Sequence, residues 1–218
     1  MKVAQERMVE KVDLPPGMIP GMILAGGLSR RMGGGDKGLL RLGDQPILGH
    51  VIGRIRPQVS ALALNANGDP ARFAGFGLEV VPDSVPGYAG PLAGILTALS
   101  WAAARAPSAT HVLTVPSDTP FLPRDLAERL RAGIVAPGDA VIAARRGRRH
   151  PVIGLWPVAC RQRLHAAVAA EGLRKVEAWT DRVSARVVGF DEATRDPFFN
   201  VNTPDDLAAA EDLISINP

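Results

Sequence analysis

The run MILAGGLSRRMGGGDKGLLRL, Met22 to Leu42, places Gly26, Gly27, Arg30, Arg31 and Lys37 directly behind a short apolar stretch. Glycines after a strand let backbone N–H groups approach an anion with no Cβ in the way. Arg30 and Arg31 offer guanidinium forks to phosphate oxygens, and Lys37 a point charge. Lys37 is followed by Gly38, and neither GxxxxGK[ST] nor GxGxxG is present, so spacing alone defines a general anion loop. A second group is PSDTPF, Pro116 to Phe121, in which Asp118 follows the apolar run HVLTV. A carboxylate at a strand end, facing a basic loop, suits Mg²⁺, which uses one or two carboxylates together with substrate phosphates and waters. The same residue type also serves as an Asx-turn or a helix N-cap. In GYAGPLAG, Gly90 and Gly94 flank a helix start and leave room for a base or ribose, or for close helix packing. Asn65 and Asp83 each fall where a strand should end, and either could bond a nucleoside or a turn. His150 and the run Arg145, Arg146, Arg148 and Arg149 read as a loop near an anionic substrate or as a solvated face, with the solvated reading preferred for the arginines.

Elements must hold these residues together. Apolar runs at Ile23–Ala25, Val59–Asn65, Leu78–Pro82, His111–Val115, Ala140–Ala144, Pro151–Trp156 and Val183–Phe190 read as strands. Helical spacing is found over Pro46–Arg56, Pro91–Ala104, Pro123–Arg131, Pro157–Ala170 and Thr203–Ile214. The last of these opens with an N-cap Thr and a first-turn Pro. Strands that alternate with helices and are apolar throughout predict an α/β fold, with a mostly parallel sheet covered on both faces. Ligands of such sheets sit beyond the carboxyl ends of the strands, where the candidate residues fall.

The chain has 218 residues, 46% of them apolar, enough for one sizeable α/β domain. Residues 1–17 mix charges of both signs without an apolar core, and read as a flexible extension, not a secretory signal. Residues 18–218 read as one domain, with a nucleotide half over about 18–120 and an acceptor half over about 121–218. No apolar stretch reaches the roughly 18 residues that span a bilayer. A net charge of +3 and an aromatic content of 5%, not interleaved with the basic residues, argue against a nucleic-acid partner. The single cysteine, Cys160, excludes an internal disulfide and fits a reducing, cytoplasmic setting.

Taken in order, LAGG-LSRRMGG-GDKGLL, NAN at Asn65–Asn67, PDS with Asp83, GPLAG at Gly90–Gly94, SDTPF with Asp118, RRHPVIGL around His150, and FNVNTPDDL at Phe199–Leu207 resemble the nucleotidyltransferases of the molybdenum cofactor pathway, most closely the guanylyltransferases. The resemblance runs from about Gly21 to Leu213. It implies a Rossmann-like three-layer αβα fold and transfer of GMP from GTP to the phosphate of molybdenum-molybdopterin, with release of pyrophosphate. It implies that Leu24, Ala25 and Gly26 line the GTP site, that Lys37 meets the triphosphate with help from Arg31, and that Asn65 and Asp83 contact the nucleoside. Asp118 would bind Mg²⁺ near the α-phosphate, Gly90 and Gly94 would shape the pocket, and Asn200 and Asn202 would lie on the molybdopterin side. Molybdoenzymes or their chaperones are the implied recipients of the product. Cytidylyltransferases and sugar-1-phosphate nucleotidyltransferases share such a loop, but more often read LAAG or LAGGxGTR. A nucleotide-binding module without turnover would need neither Lys37 nor Asp118.

Overall fold

The computed structural model describes residues 19–25, 36–85, 90–192 and 195–215. The expectations for 1–17, Gly26, Arg30 and Arg31 lie outside the described residues.

In chain order the strands are β1 (Gly21–Leu24), β2 (Arg41–Leu42), β3 (Gln45–Pro46), β4 (Leu62–Asn65), β5 (Glu79–Val81), β6 (His111–Pro116), β7 (Val141–Arg145), β8 (Arg148–Pro157) and β9 (Arg186–Gly189). The helices are α1 (Ile47–Ile55), α2 (Pro91–Arg105), α3 (Leu126–Ala132), α4 (Arg161–Ala169), α5 (Val176–Arg182) and α6 (Pro204–Ser215). Seven strands form one sheet in the order β5-β4-β1-β6-β8-β7-β9, and β2 and β3 form a separate hairpin. β1 is parallel to β4 and β6, β4 to β5, and β7 to β9. Only β8 runs antiparallel, to both of its neighbours. Its direction follows from the two-residue connection to β7. Arg146 (φ 48°) and Gly147 (φ 77°) both take the left-handed conformation that a tight hairpin turn needs.

Side chains alternate across the sheet and feed two cores. Ile23, Leu113 and Val115 face a layer formed by Leu48, Val51 and Ile55 of α1 and Leu126 and Leu130 of α3. Met22, Leu24 and Val112 face Leu92, Ile95 and Leu99 of α2, Leu164 of α4 and Trp179 of α5. Such runs are apolar throughout because both faces are covered, as the sequence pattern requires. A third cluster, Leu42, Ile47, Phe121, Val201 and Ala210, fastens α6 to the β2–β3 hairpin and to the segment after Asp118.

Several boundaries differ from the sequence expectation. α3 starts at Leu126, not at Pro123, because Pro123 first closes a turn by accepting from the Leu126 N–H at 3.4 Å. The segment 157–170 divides, since β8 continues to Pro157, and a short 3-10 turn (Val158–Cys160) precedes α4. β8 also begins at Arg148, three positions before the expected Pro151. β9 covers only Arg186–Gly189 of the expected Val183–Phe190, and α5 and the β2–β3 hairpin were outside the sequence reading altogether.

Candidate active site

Register brings the strand ends level. Leu24 of β1 is opposite Asn65 of β4 on one side and Pro116 of β6 on the other, and Asn65 is opposite Val81 of β5. The chain lays β4 and β5 on one side of β1 and then crosses over α2 to place β6 on the other. This reversal opens a crevice at the carboxyl edge. A cleft of about 510 Å³ lies there, lined by Leu24, Asn65, Gly90 and Asp118 from the strand ends, by Asn200, and by a basic wall opposite them.

At one end of the cleft, polar groups are fixed by one another. Asn65 is buried, and its amide donates to the Val81 carbonyl (3.1 Å) and to Asp83 Oδ1 (3.0 Å). Asn67 donates to Asp83 Oδ2 at 2.8 Å and accepts from the Asp83 N–H at 2.9 Å. Asp83 is not among the described residues that line the cleft; it reaches the cleft through Asn65. Ala25 continues the β1–β4 pairing, its N–H donating to the Asn65 carbonyl at 2.8 Å. A Cβ at Gly94 would lie 2.7 Å from Asn65 Oδ1 and 3.1 Å from Leu24 Cδ1, so only glycine lets α2 approach this closely. Gly90, with φ 140°, makes the bend into α2 that other residues resist, and Pro91 follows at the first helical position.

The catalytic candidates sit at the centre. Lys37 begins a short 3-10 turn, Lys37–Leu39, and its Nζ donates to Asn202 Oδ1 at 2.7 Å. The Asp118 backbone is clamped, with its carbonyl accepting from the Val201 N–H at 2.9 Å. Its carboxylate is less well served. Thr119 Oγ1 is 3.4 Å from Asp118 Oδ1 but only 2.8 Å from Asn200 Oδ1. Burial pushes the Asp118 carboxyl above the usual aspartate range, and the Lys37 ammonium pulls in the opposite direction. Among the described residues no three His, Cys, Asp or Glu side chains gather into a metal cage. A single half-buried carboxylate short of partners, next to room for phosphates and waters, fits a hard divalent cation that brings most of its own oxygen ligands.

Lys37 is not among the described residues lining the cleft, but its ammonium, held by Asn202, is close enough to Asp118 to pull down its pKa. Of the two asparagines, Asn200 lines the cleft while Asn202 turns to Lys37. A bracket not seen in the sequence reading steadies this region. Arg72 forms an ion pair with Asp36, the residue before Lys37, and donates to the carbonyls of Asn67 and Asp69. The end of the glycine loop is thereby tied to the turn after β4.

Arg146, Arg148 and Arg149 are exposed, in keeping with the solvated face read from the sequence, and Arg148 and Arg149 also face the cleft as part of its basic wall. Arg146 occupies the hairpin turn, Arg145 lies 3.6 Å from Asp196, and Arg148 and Arg149 line the cleft. Arg149 Nη1 also reaches Asp181 Oδ1 at 2.8 Å. His150 belongs to β8 and not to a loop, and its ring packs on Phe198 with centroids 4.7 Å apart. Burial, and then the Arg148 charge, lower the His150 pKa. Arg174 and Lys175, from the segment before α5, complete the wall. The sequence reading missed both. Their signal was the adjacent pair of cations ahead of the apolar positions Val176 and Trp179.

A mostly parallel sheet with Asp118 in a cleft at its carboxyl edge, Lys37 held nearby by Asn202, and a facing basic wall is the frame of a nucleotide-handling transferase of the α/β class. The MobA-like NTP transferase domain matches residues 21–183, and the chain belongs to that family, as a nucleotidyltransferase. The molybdenum cofactor guanylyltransferase of Bradyrhizobium sp. (strain ORS 278) is 53% identical over 199 residues, covering 91% of this chain and 94% of its own. That of Rhodopseudomonas palustris (strain BisB5) is 51% identical over 193 residues, 88% of this chain and 92% of its own. Among solved structures, molybdopterin-guanine dinucleotide biosynthesis protein A from Archaeoglobus fulgidus shares the fold with a TM-score of 0.68. Its identity is 24%, covering 91% of this chain and 100% of that one.

Proposed function

We propose that this protein transfers GMP from GTP to the terminal phosphate of molybdenum-molybdopterin, releasing pyrophosphate and forming the guanine dinucleotide form of the cofactor. The observation that carries the reading is that Asp118 lines one cleft together with Leu24, Asn65 and Gly90 and with Arg148, Arg149, Arg174 and Lys175. An acceptor phosphate oxygen forms a bond to the α-phosphorus of GTP while the α–β bridging bond breaks and its electron pair leaves with pyrophosphate. The nucleophile is already an oxyanion, so the step needs no general base. Catalysis is then a matter of positioning and charge.

In this scheme Leu24, Ala25, Gly90 and Gly94 form the nucleoside floor, and Asn65 and Asp83 fix its polar end. Lys37, held by Asn202, faces the triphosphate and offsets the charge of the leaving pyrophosphate. Arg31 would add to it, and Gly26 would extend the floor. Asp118 would hold Mg²⁺, which when bound supplies Lewis-acid polarisation of the phosphoryl oxygens. Arg148, Arg149, Arg174 and Lys175 attract the acceptor phosphate, with Asn200 at the junction. Residues 18–120 thus carry mainly the nucleotide and 121–218 mainly the acceptor. Molybdoenzymes or their chaperones would receive the product in the cytoplasm. The deciding experiment incubates the protein with Mg²⁺ and molybdate-loaded molybdopterin, and compares GTP, CTP and ATP. Pyrophosphate release with GTP alone, together with a guanine dinucleotide product, is expected. Turnover with CTP instead would reassign the base, and GTP binding without turnover would leave only a nucleotide-binding module.

A further inference from the structure

Behind the segment that carries Asp118 lies a second concavity, of about 260 Å³. Asp118 lines the cleft in front, while Pro120 and Phe121, two and three residues on, line the space behind. Arg54 of α1, Arg124 ahead of α3 and Arg195 after β9 all face this space. No carboxylate is among the described residues that line it, and none of the three arginines forms an ion pair with a described carboxylate. Two of the three are nevertheless held in place. Arg54 Nη1 donates to the Leu122 carbonyl at 3.1 Å, and the Arg195 guanidinium lies over the Phe121 ring, 4.9 Å from its centroid. Burial, and then the charges of Arg195 and Arg124, lower the Arg54 pKa, which puts both other guanidiniums within electrostatic reach of Arg54. Gly53 of α1 leaves open space on that wall, while Gln45 covers Gly49 and His50 also lines the concavity.

A surface that only needs solubility spreads its cations and mixes in acids. Here three guanidiniums, two of them held in place, converge on a concavity with no carboxylate among the described residues that line it. We propose that this concavity is a second anion site, separate from the catalytic cleft, that takes a small phosphate-bearing anion of about the size of pyrophosphate. Guanidinium forks match phosphate oxygens in pairs, and three of them exceed what a monoanion would balance. The inference does not depend on the acceptor or base assigned to the cleft.

The test is isothermal titration of the full-length protein with pyrophosphate in chelator, compared with the Arg124→Gln/Arg195→Gln double variant. Neither residue belongs to the catalytic machinery. Wild type is expected to bind pyrophosphate more weakly as salt is raised, and the double variant to lose about tenfold or more of that affinity with the loss of two charge-assisted contacts. GTP binding in the double variant should be unchanged. Equal pyrophosphate affinity in both proteins would overturn the site. So would a parallel loss of GTP binding, which would assign the arginines to the cleft or to folding. Tighter binding of a glutamate-rich peptide than of pyrophosphate would overturn it in favour of a protein partner. If the double variant does not fold, the exposed Arg124→Gln alone carries the same comparison.

Discussion

The Asp118 carboxylate is half-buried, its best candidate donor, the Thr119 hydroxyl, is shared with Asn200, and among the described residues the cation that acts on it is Lys37. Desolvation of such a group opposes folding unless a ligand compensates it. Asp118→Asn removes the charge and keeps the shape. It is expected to raise the melting temperature in chelator, where no metal can offset the burial, while lowering turnover on the order of 100-fold or more. A melting scan and a pyrophosphate-release assay on one preparation check both halves; a variant that is less stable and fully active would remove Asp118 from the site. Lys37 and Asn202 act as a unit through their 2.7 Å contact. Asn202→Ala should therefore slow turnover in the wild-type background and change little in Lys37→Ala, an interaction that a double-mutant cycle measures. Equal effects of Asn202→Ala in both backgrounds would mean that Asn202 serves another partner.

Helix starts set the positions of these side chains. Thr203 Oγ1 accepts from the Asp206 N–H at 3.2 Å, and Asp206 Oδ2 accepts from the N–H groups of Asn202 and Thr203 at 2.9 Å each. This reciprocal cap opens α6 and fixes the backbone of Asn202 in the same step. Thr203→Ala should cost about 1 kcal/mol of stability, the usual worth of such a cap. The Asn202 N–H, ahead of the Thr203 hydrogen bonds, holds the Asp206 carboxyl below the usual aspartate range. A depressed carboxylate pKa stabilises the fold above the ordinary aspartate value, about 3.9, and that contribution is lost as pH falls through the lowered value. The urea midpoints of wild type and Asp206→Asn should therefore differ at neutral pH and converge in acid. The TPDD pattern made this helix legible, because its cap chemistry is local. α5 was not legible: only seven residues long, it is held by Trp179 and Val176 in a core built from distant segments. The two-residue strands of the β2–β3 hairpin left no periodicity to read.

At the scale of the whole molecule, the parallel half of the sheet was readable from its continuous apolar runs, and so was the line of candidate residues along its carboxyl edge. The basic wall was not. Arg148 and Arg149 reach the cleft because an Arg146-Gly147 hairpin reverses β8, and Arg174 and Lys175 join them from across the α4–α5 connection. Charge spacing along the chain carries no information about that convergence. The same topology buries an ionisable group at the far end of β6, well away from the chemistry. His111 is 3% exposed, and its Nε2 must donate to the Asp139 carbonyl at 3.0 Å, since a carbonyl can only accept. In the neutral ring Nδ1 is then the acceptor for the Thr110 hydroxyl, 3.0 Å away. Burial lowers the His111 pKa, against the opposing pull of the Asp139 carbonyl. Above the ordinary histidine value of about 6.5 the ring is neutral in both folded and unfolded chains, and stability does not depend on it. As pH falls through that value the unfolded chain takes up a proton that the folded chain refuses, so the folded state loses stability until the lowered value is reached. His150, lowered by burial and by Arg148, acts with the same sign. His111→Gln keeps an amide donor for the Asp139 carbonyl but cannot titrate. Unfolding free energies from urea titrations between about pH 8 and about pH 5 should decline less steeply in this variant than in wild type. Parallel curves would mean that the His111 pKa is the same in the folded and unfolded chains, its hydrogen bond to Asp139 just offsetting its burial.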